Sequence, residues 1–349
     1  MNSEFLMTRN QQYAIFNWFL NKEITEFSIE IPWLSDSIIE VSLSEDSPTA
    51  DIKILADEDT MDGVPGREEI SSYNFRDTLV AAGIVKPGGW DDTISTLDDE
   101  TNRNLYAGDR PCRIVFDTNA FLRRYFTLIH RTLYELKERT SLAGWGYVVT
   151  SGIREEMASY EKKYSHNVLN GYNGRYSESW FDFHQFFNQL MGVDRMFRMG
   201  SIECEKMIQT GRCLRVRSDR GDTNIIRALA EHSRNQGVDL IAVTEDSDFI
   251  AKCKSHEIQG HRLDIPQEID TSYRIDWLNL SELLYVLALR FGAVRLLWHH
   301  STSAQMLGIW LGKKEEPWKN ENVLVRPDAA TLSSWLKESL SIGYPSSST

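Results

Sequence analysis

The sequence predicts an α/β protein whose central unit is a parallel sheet. Two observations carry that prediction. Ile114-Val115-Phe116 and Leu240-Ile241-Ala242-Val243 are short, continuous apolar runs, as expected for strands buried on both faces. Each run leads into acidic residues and then a helical pattern: Asp117 after the first, Asp246 and Asp248 after the second. Acids at the carboxyl ends of such strands face the crevice where open α/β sheets take their ligands.

The bulk properties set the frame. A chain of 349 residues holds about two domains. Its hydrophobic content of 41% and its ten Trp residues are globular in character. A net charge of −13 argues against a general basic coat for nucleic acid, but it permits a local basic groove. The four cysteines, Cys112, Cys204, Cys213 and Cys253, form no C-x-x-C pair, which argues against a zinc site and for reduced thiols. The first residues lack a basic stretch followed by an apolar one, so no signal peptide is expected. The most apolar stretch, Leu283 to Leu297, contains Arg290 and Arg295 and is too short to span a bilayer. A cytoplasmic location without a membrane partner is the expectation.

Residues 1 to 108 read as an α+β region. Gln11 to Leu20 is a helix, and Phe27 to Ile31, Ile38 to Leu43 and Asp51 to Leu55 alternate as strands. Asp57, Glu58 and Asp59 form a solvated loop. Arg76 to Ile84 is a helix closed by Lys86-Pro87-Gly88-Gly89. Asp91 to Asp109 is acidic and turn-rich and reads as a linker.

From Arg110 the strand Arg113 to Phe116 leads into one helix running from Ala120 to Arg139. Gly144 and Gly146 mark a turn, and Tyr147 to Thr150 is a second strand. Ser151 is the expected N-cap of a helix from Ile153, with Glu155 and Glu156 in its first turn. Residues 158 to 215 are helical in pattern with a break at Asn170 to Gly174. The aromatic segment Trp180 to Phe187 reads as core in preference to a base-stacking surface. Asp222 opens an amphipathic helix that Gly237 closes, and His256 to Ile265 suits a short strand.

Beyond Ile269, Leu278 to Phe291 is an apolar-faced helix, and Val294 to Trp298 is a strand. Gln305 to Leu311 and Ala330 to Leu340 read as helices, making this end mainly helical. His299 and His300 lack a partner motif and read as a packed or surface pair. The tail Pro345 to Thr349 reads as disordered.

Right-handed crossovers between parallel strands put Asp117 and Asp246 on one sheet edge, where Glu156 and Asp222 can return from their helices. Carboxylates brought that close repel, and a divalent cation resolves the repulsion. An all-oxygen donor set with retained waters suits Mg²⁺ or Mn²⁺. Such a site can position water for attack on a phosphodiester.

The motifs Asp117-x-Asn119, Ile153-x-x-Glu156, Asp222-x-x-Ile225 and Thr244-x-Asp246-x-Asp248-Phe249, in that order, resemble the PIN-domain nucleases. The resemblance covers residues 110 to 268. It implies a three-layer α/β/α fold, flanked by the N-terminal α+β region (1 to 108) and a mainly helical region (269 to 349). The span from Glu156 to Asp222 is longer than in compact members, which implies an insertion or longer helices around residues 160 to 215. The resemblance also implies that Asp117, Glu156, Asp222 and Asp246 are the catalytic metal ligands. Asp248 would be a fifth ligand or an outer carboxylate, and Asn119 and Thr244 would be polar supports. Glu155 competes with Glu156, which the apolar Ile153 favours.

The function implied is a Mg²⁺/Mn²⁺-dependent endoribonuclease leaving 5′-phosphate and 3′-hydroxyl ends. A catalytically silent module that binds RNA or protein, and a structure-specific DNA nuclease, are the alternatives. Intact acids favour activity, and the lack of a Gly-rich helical DNA-binding motif disfavours the DNA nuclease. RNA is the expected partner. DNA, a protein partner or inhibitor, and self-association stay open. Arg212, Arg215, Arg217 and Arg220 lead into Asp222 and read equally as a phosphate-tracking groove or a solvated face. Arg123, Arg124 and Arg131 follow Asp117 and could join that groove; for Arg123 and Arg124, a solvated helix face with ion pairs to nearby acids is the preferred reading.

Overall fold

The computed structural model describes residues 4–34, 36–62, 70–136, 145–176, 178–299, 302–309 and 320–341. The chain is mixed α/β and divides into two compact units. One comprises Met1–Ile84, Lys162–Arg195 and Glu268–Thr349; the other comprises Val85–Glu161 and Met196–Gln267. These units do not coincide with three consecutive regions. The N- and C-terminal segments form one unit, residues 85 to 108 belong to the other, and the long span after Glu156 sends residues 162 to 195 into the first.

The first unit is built on an eight-stranded antiparallel sheet. Its elements are β1 (Phe5–Met7), α1 (Arg9–Asn21), β2 (Glu26–Glu30), β3 (Ile39–Leu43), β4 (Thr49–Ile54), α2 (Glu58–Asp62) and α3 (Ser72–Ala81). Thr8 and Gln11 form a capping box at the start of α1, each side chain taking up a backbone N–H of the other. The acids expected in a loop form α2 instead, started by Asp57, whose Oδ1 accepts from Thr60 N at 2.7 Å.

The second unit follows, with α4 (Trp90–Thr101), β5 (Cys112–Phe116), α5 (Thr118–Leu122), α6 (Tyr125–Leu136), β6 (Trp145–Thr150) and α7 (Ser151–Met157). Next along the chain come α8 (His166–Arg175), which belongs to the first unit, and α9 (Gly192–Gln209), followed in the second unit by β7 (Cys213–Val216), α10 (Asp222–Gln236), β8 (Asp239–Thr244), α11 (Ser247–Ser255) and β9 (Gln259–Arg262). The C-terminal part holds β10 (Ser272–Asp276), α12 (Trp277–Phe291), β11 (Ala293–Trp298), β12 (Thr302–Leu307), β13 (Val323–Pro327) and α13 (Ala330–Ser341).

Among the described residues this C-terminal part is mixed, with two helices and four strands, where mainly helix was expected. Its four strands enter the antiparallel sheet, whose order is β1-β13-β12-β11-β2-β3-β4-β10. Gln305 to Leu307 is strand, because β12 pairs with β11 on one side and β13 on the other. Helix α12 is buried all round, not only on one face. Its two charges are met inside the unit: Glu282 by Arg9, and Arg290 by Asp77 at 3.1 Å. Three of the segment's aromatics, Phe181, Phe183 and Phe186, are core, and Trp33 packs against Phe183 and Phe186 at centroid distances of 4.7 and 5.7 Å, whereas Phe187 is exposed. Helix α8 runs through the break expected at 170 to 174, starting from the Ser165 cap. His299 is exposed; His300 and the tail lie outside the described residues.

The second unit is organised on a five-stranded sheet in the order β7-β6-β5-β8-β9, with every pair parallel. The stretch expected to be a linker contains α4, which buries Thr93, Ile94, Leu97 and Thr101. The helix after Asp117 is two helices, not one. It breaks at Arg124, whose φ is +58° and whose fully buried side chain faces Glu203. The expected turn at Gly144 lies outside the described residues, whereas Gly146 is within β6.

Candidate functional site

The strand order places the candidate site. Chain order runs outward from β5 to β6 and β7 on one side, and to β8 and β9 on the other. The connections therefore diverge between β5 and β8, where a crevice opens at the carboxyl ends of doubly wound sheets. Asp117 directly follows β5, and Asp246 follows β8. Thr150 ends β6 and leads into α7, which carries Glu156; the loop after β7 leads to Asp222. All four acids line one cavity of about 350 Å³, together with Thr118, Asn119, Tyr160 and Phe197.

Asp117 is buried, at 6% exposure. It caps α5: one carboxylate oxygen accepts from Ala120 N at 2.7 Å, and the other accepts from the Thr244 hydroxyl. Burial pushes its pKa up to about 7, with Asp246 adding to the rise; the two hydrogen bonds and Arg123 pull the other way. Thr244 is itself fully buried and joins two acids, since its Oγ1 also accepts from Asp246 N at 2.9 Å. Asp246 caps α11, with Oδ1 accepting from Asp248 N and Phe249 N at 2.7 and 3.3 Å.

Glu156 is held from two directions. Its Oε2 accepts from Thr118 Oγ1 at 2.6 Å, and its Oε1 accepts from Gly221 N at 3.0 Å. The second bond ties α7 to the residue before Asp222. Glu155 is exposed and outside the cavity, where it pairs with Arg220 at 3.5 Å. Asp222 accepts from Lys252 Nζ at 2.8 Å, and that bond raises the pKa of Lys252.

Three sequence expectations change here. The N-cap of α7 is Thr150, whose side chain accepts from Ile153 N at 3.3 Å, not Ser151. The helix consequently starts earlier, and Glu155 and Glu156 fall beyond its first turn. Ser151 serves the loop instead: its Oγ donates to Ser218 O at 2.8 Å and accepts from Ser218 N at 2.9 Å. Asp248, offered as a fifth ligand or outer carboxylate, is exposed and does not line the cavity.

The arginines also sort themselves. Arg123 is buried and pairs with Glu245 at 2.7 Å, and Arg124 faces Glu203, so neither forms a groove. Arg131 is half-buried on α6 and does not line the cavity. Arg212 lies over the Trp145 ring at 5.8 Å and Arg220 is engaged by Glu155, whereas Arg215 and Arg217 are exposed.

Thr118, Lys252, Tyr160 and Phe197 escaped the sequence reading. Thr118 sits inside the Asp117-x-Asn119 motif, so its position was marked although its role was not. Lys252 is 30 residues from Asp222, and no local spacing joins them.

Gly152 keeps the site assembled. A Cβ there would stand 2.4 Å from Asp219 O and 2.7 Å from Ser218 Oγ, so the loop 218–221 can approach only a glycine. Gly152→Ala is expected to push that loop away, break the Gly221–Glu156 bond and destabilise the unit by about 1–3 kcal/mol. Urea unfolding checks this; a variant as stable as the parent would contradict it.

Among the described residues, no three His, Cys, Asp or Glu side chains form a ready-made metal-binding group. In comparisons with known proteins, no family model matches the chain and no curated sequence matches it. Among the described residues, no helix is long and apolar enough to cross a membrane.

Proposed function

We propose that the second unit is a metal-dependent nuclease of the PIN type, and that it hydrolyses phosphodiester bonds in RNA. One observation carries this reading: Asp117, Glu156, Asp222 and Asp246 come from four separate strand–helix units and line one cavity at the switch point of a parallel sheet. A structural helix cap has no need of three other acids beside it.

The donor set fits Mg²⁺ or Mn²⁺. It consists of hard carboxylate oxygens with hydroxyl and amide neighbours, and among the described residues neither histidine nor cysteine lines the cavity. Each oxygen of Asp117 and Glu156 uses one lone pair on a protein donor and keeps another. Mg²⁺ retains several waters and binds through only one or two carboxylates, so an open cavity suits it better than a closed cage. When bound, the cation supplies charge to a phosphate and lowers the pKa of water.

The chain's own residues prepare this chemistry. Thr244 fixes Asp117 relative to Asp246, and Thr118 fixes Glu156 relative to α5. Lys252 holds Asp222 in a charge-balanced pair. Asp222 would be one of the residues that hold the cation, and the Lys252 ammonium beside it would offer positive charge to a substrate backbone.

The test is cleavage of labelled RNA and DNA with Mg²⁺, Mn²⁺ or EDTA, run beside Asp117→Asn. Metal-dependent cleavage that the variant lacks supports the reading. Cleavage in EDTA, or full activity in the variant, refutes it.

Arg215, Arg217 and Arg220 are all exposed, and Arg220 is engaged by Glu155, so Arg215 and Arg217 are taken as the cations that track phosphate. Arg215→Glu with Arg217→Glu is expected to weaken RNA binding about ten-fold or more and to flatten its dependence on salt. An unchanged salt slope in a filter-binding titration would remove these residues from the substrate path.

A further inference from the structure

The cavity has an aromatic wall that the carboxylate chemistry does not use. Tyr160 and Phe197 both line it, and their rings stack with centroids 3.5 Å apart and planes within 8°. Two protein rings ordinarily prefer an offset or edge-to-face arrangement. The pair is not locked in a core that would impose this geometry, because Tyr160 is 45% exposed. Among the described residues, the other ring pairs of this unit are tilted or edge-on, as in Phe116–Phe126 at 83° and Trp145–Tyr147 at 79°. Phe197 covers one face of Tyr160, so the exposed area belongs to its edge and its opposite face. The result is a flat, backed platform beside the acids.

We infer that Tyr160, backed by Phe197, is a stacking subsite for one unpaired base of the strand whose phosphate enters the cavity. This rests on the nuclease reading above. Any base offers a π-face, so such a platform tolerates sequence and selects for an exposed base. A base within a duplex already stacks on its neighbours and has to leave the helix first. The subsite thus specifies the substrate class as single-stranded nucleic acid, or the unpaired loops and ends of a folded one. It also makes Tyr160 a binding residue, with no part in bond breaking.

The experiment is single-turnover cleavage of a labelled single-stranded RNA across enzyme concentrations in Mn²⁺. It compares the parent, Tyr160→Ala and Tyr160→Trp, with a matched duplex alongside. Tyr160→Ala should raise the half-saturating concentration about ten-fold while changing the saturating rate by less than about two-fold. Its preference for single strand over duplex should shrink correspondingly. Tyr160→Trp keeps a flat face and should restore the parent's half-saturation. If the parent cleaves and Tyr160→Ala saturates at the same concentration, the subsite is refuted and the nuclease reading survives. Weakening by Tyr160→Trp equal to that by alanine would refute it as well, since loss of packing would then explain both. If the parent cleaves nothing in Mn²⁺, the nuclease reading fails and this subsite fails with it.

Discussion

Asp117→Asn is expected to lower cleavage by at least about 10²–10³-fold, the scale on which one lost charge-stabilising group acts. The same substitution should make the protein more stable at alkaline pH. Asp117 is buried, and its pKa in the folded chain is about 7 against an ordinary 3.8. The sign follows from proton binding. Between about pH 4 and pH 7 the folded chain holds a proton on Asp117 that the unfolded chain has released, so stability falls as pH rises through this window. Above about pH 7 both states are ionised and the loss is complete, at about 4 kcal/mol.

An asparagine never carries that charge. It does lose one good bond, because the donors from Ala120 N and Thr244 both need an acceptor and an amide has a single oxygen. The net gain is therefore smaller, about 1–2 kcal/mol at pH 8, and it should vanish near pH 5. Thermal unfolding of parent and variant at both pH values measures this. A variant less stable than the parent at pH 8 would show that Asp117 is not held against its own charge. Saturating Mn²⁺ should narrow the difference, since a cation that binds only the folded parent stabilises it by linkage. Stability given up at Asp117 is what a functional acid shows and a structural cap does not.

The largest loss of stability is expected at Arg124. Its side chain is 0% exposed and faces Glu203, which is 1% exposed. Glu203 also accepts from Thr127 N at 3.2 Å and from Lys206 at 3.1 Å. Arg124→Met fills similar volume but leaves the Glu203 charge in the interior with one remaining cation. Breaking a buried pair in this way costs about 3–5 kcal/mol, and Lys206 puts this case near the lower end. The backbone contributes little to the difference. Position 124 has φ +58°, and methionine is no less suited to that conformation than arginine. Replacing both partners, with Arg124→Met and Glu203→Met, should recover part of the loss, because the buried Glu203 charge is then gone, although Lys206 also gives up its partner. Urea titrations of the two single variants and the double close the cycle. A single-variant cost below about 1 kcal/mol would mean that the pair is solvated.

The legible part of this protein was local. Ile114-Val115-Phe116 followed by Asp117 carries its strand, its turn and its cap within a few residues, and so does Leu240 to Asp246. Gly237 ends α10 in the left-handed conformation its residue type suggests. Apart from α2, which a local Asp57 bond starts, the errors at Gln305, Asp91 and Ser151 share a cause: each needed a partner distant in sequence. Gln305 to Leu307 has a residue pattern a helix can use, and becomes strand because β11 and β13 flank it. Asp91 to Thr101 is acidic enough to pass for a linker, yet its few apolar residues face one way and suffice to bury α4. Ser151 is a sound N-cap by residue type, but Ser218 takes its hydroxyl and Thr150 caps the helix.

Strand-end acids at Asp117 and Asp246, the caps that aim them, and the alternation of strand with helix were set by neighbouring residues. Hydrogen bonding and burial act there over one turn of chain. The choice of Glu156 over Glu155 was not. Successive helix residues point about 100° apart, and only the packing of α7 against α5 and the Gly221 loop turns one inward and the other to solvent. Tertiary structure likewise decided that Lys252 meets Asp222, that Tyr160 lies flat on Phe197, and that residues 162 to 195 leave the parallel-sheet unit. Each is a contact between segments far apart along the chain. Such contacts form only once the sheet has brought its strand ends together.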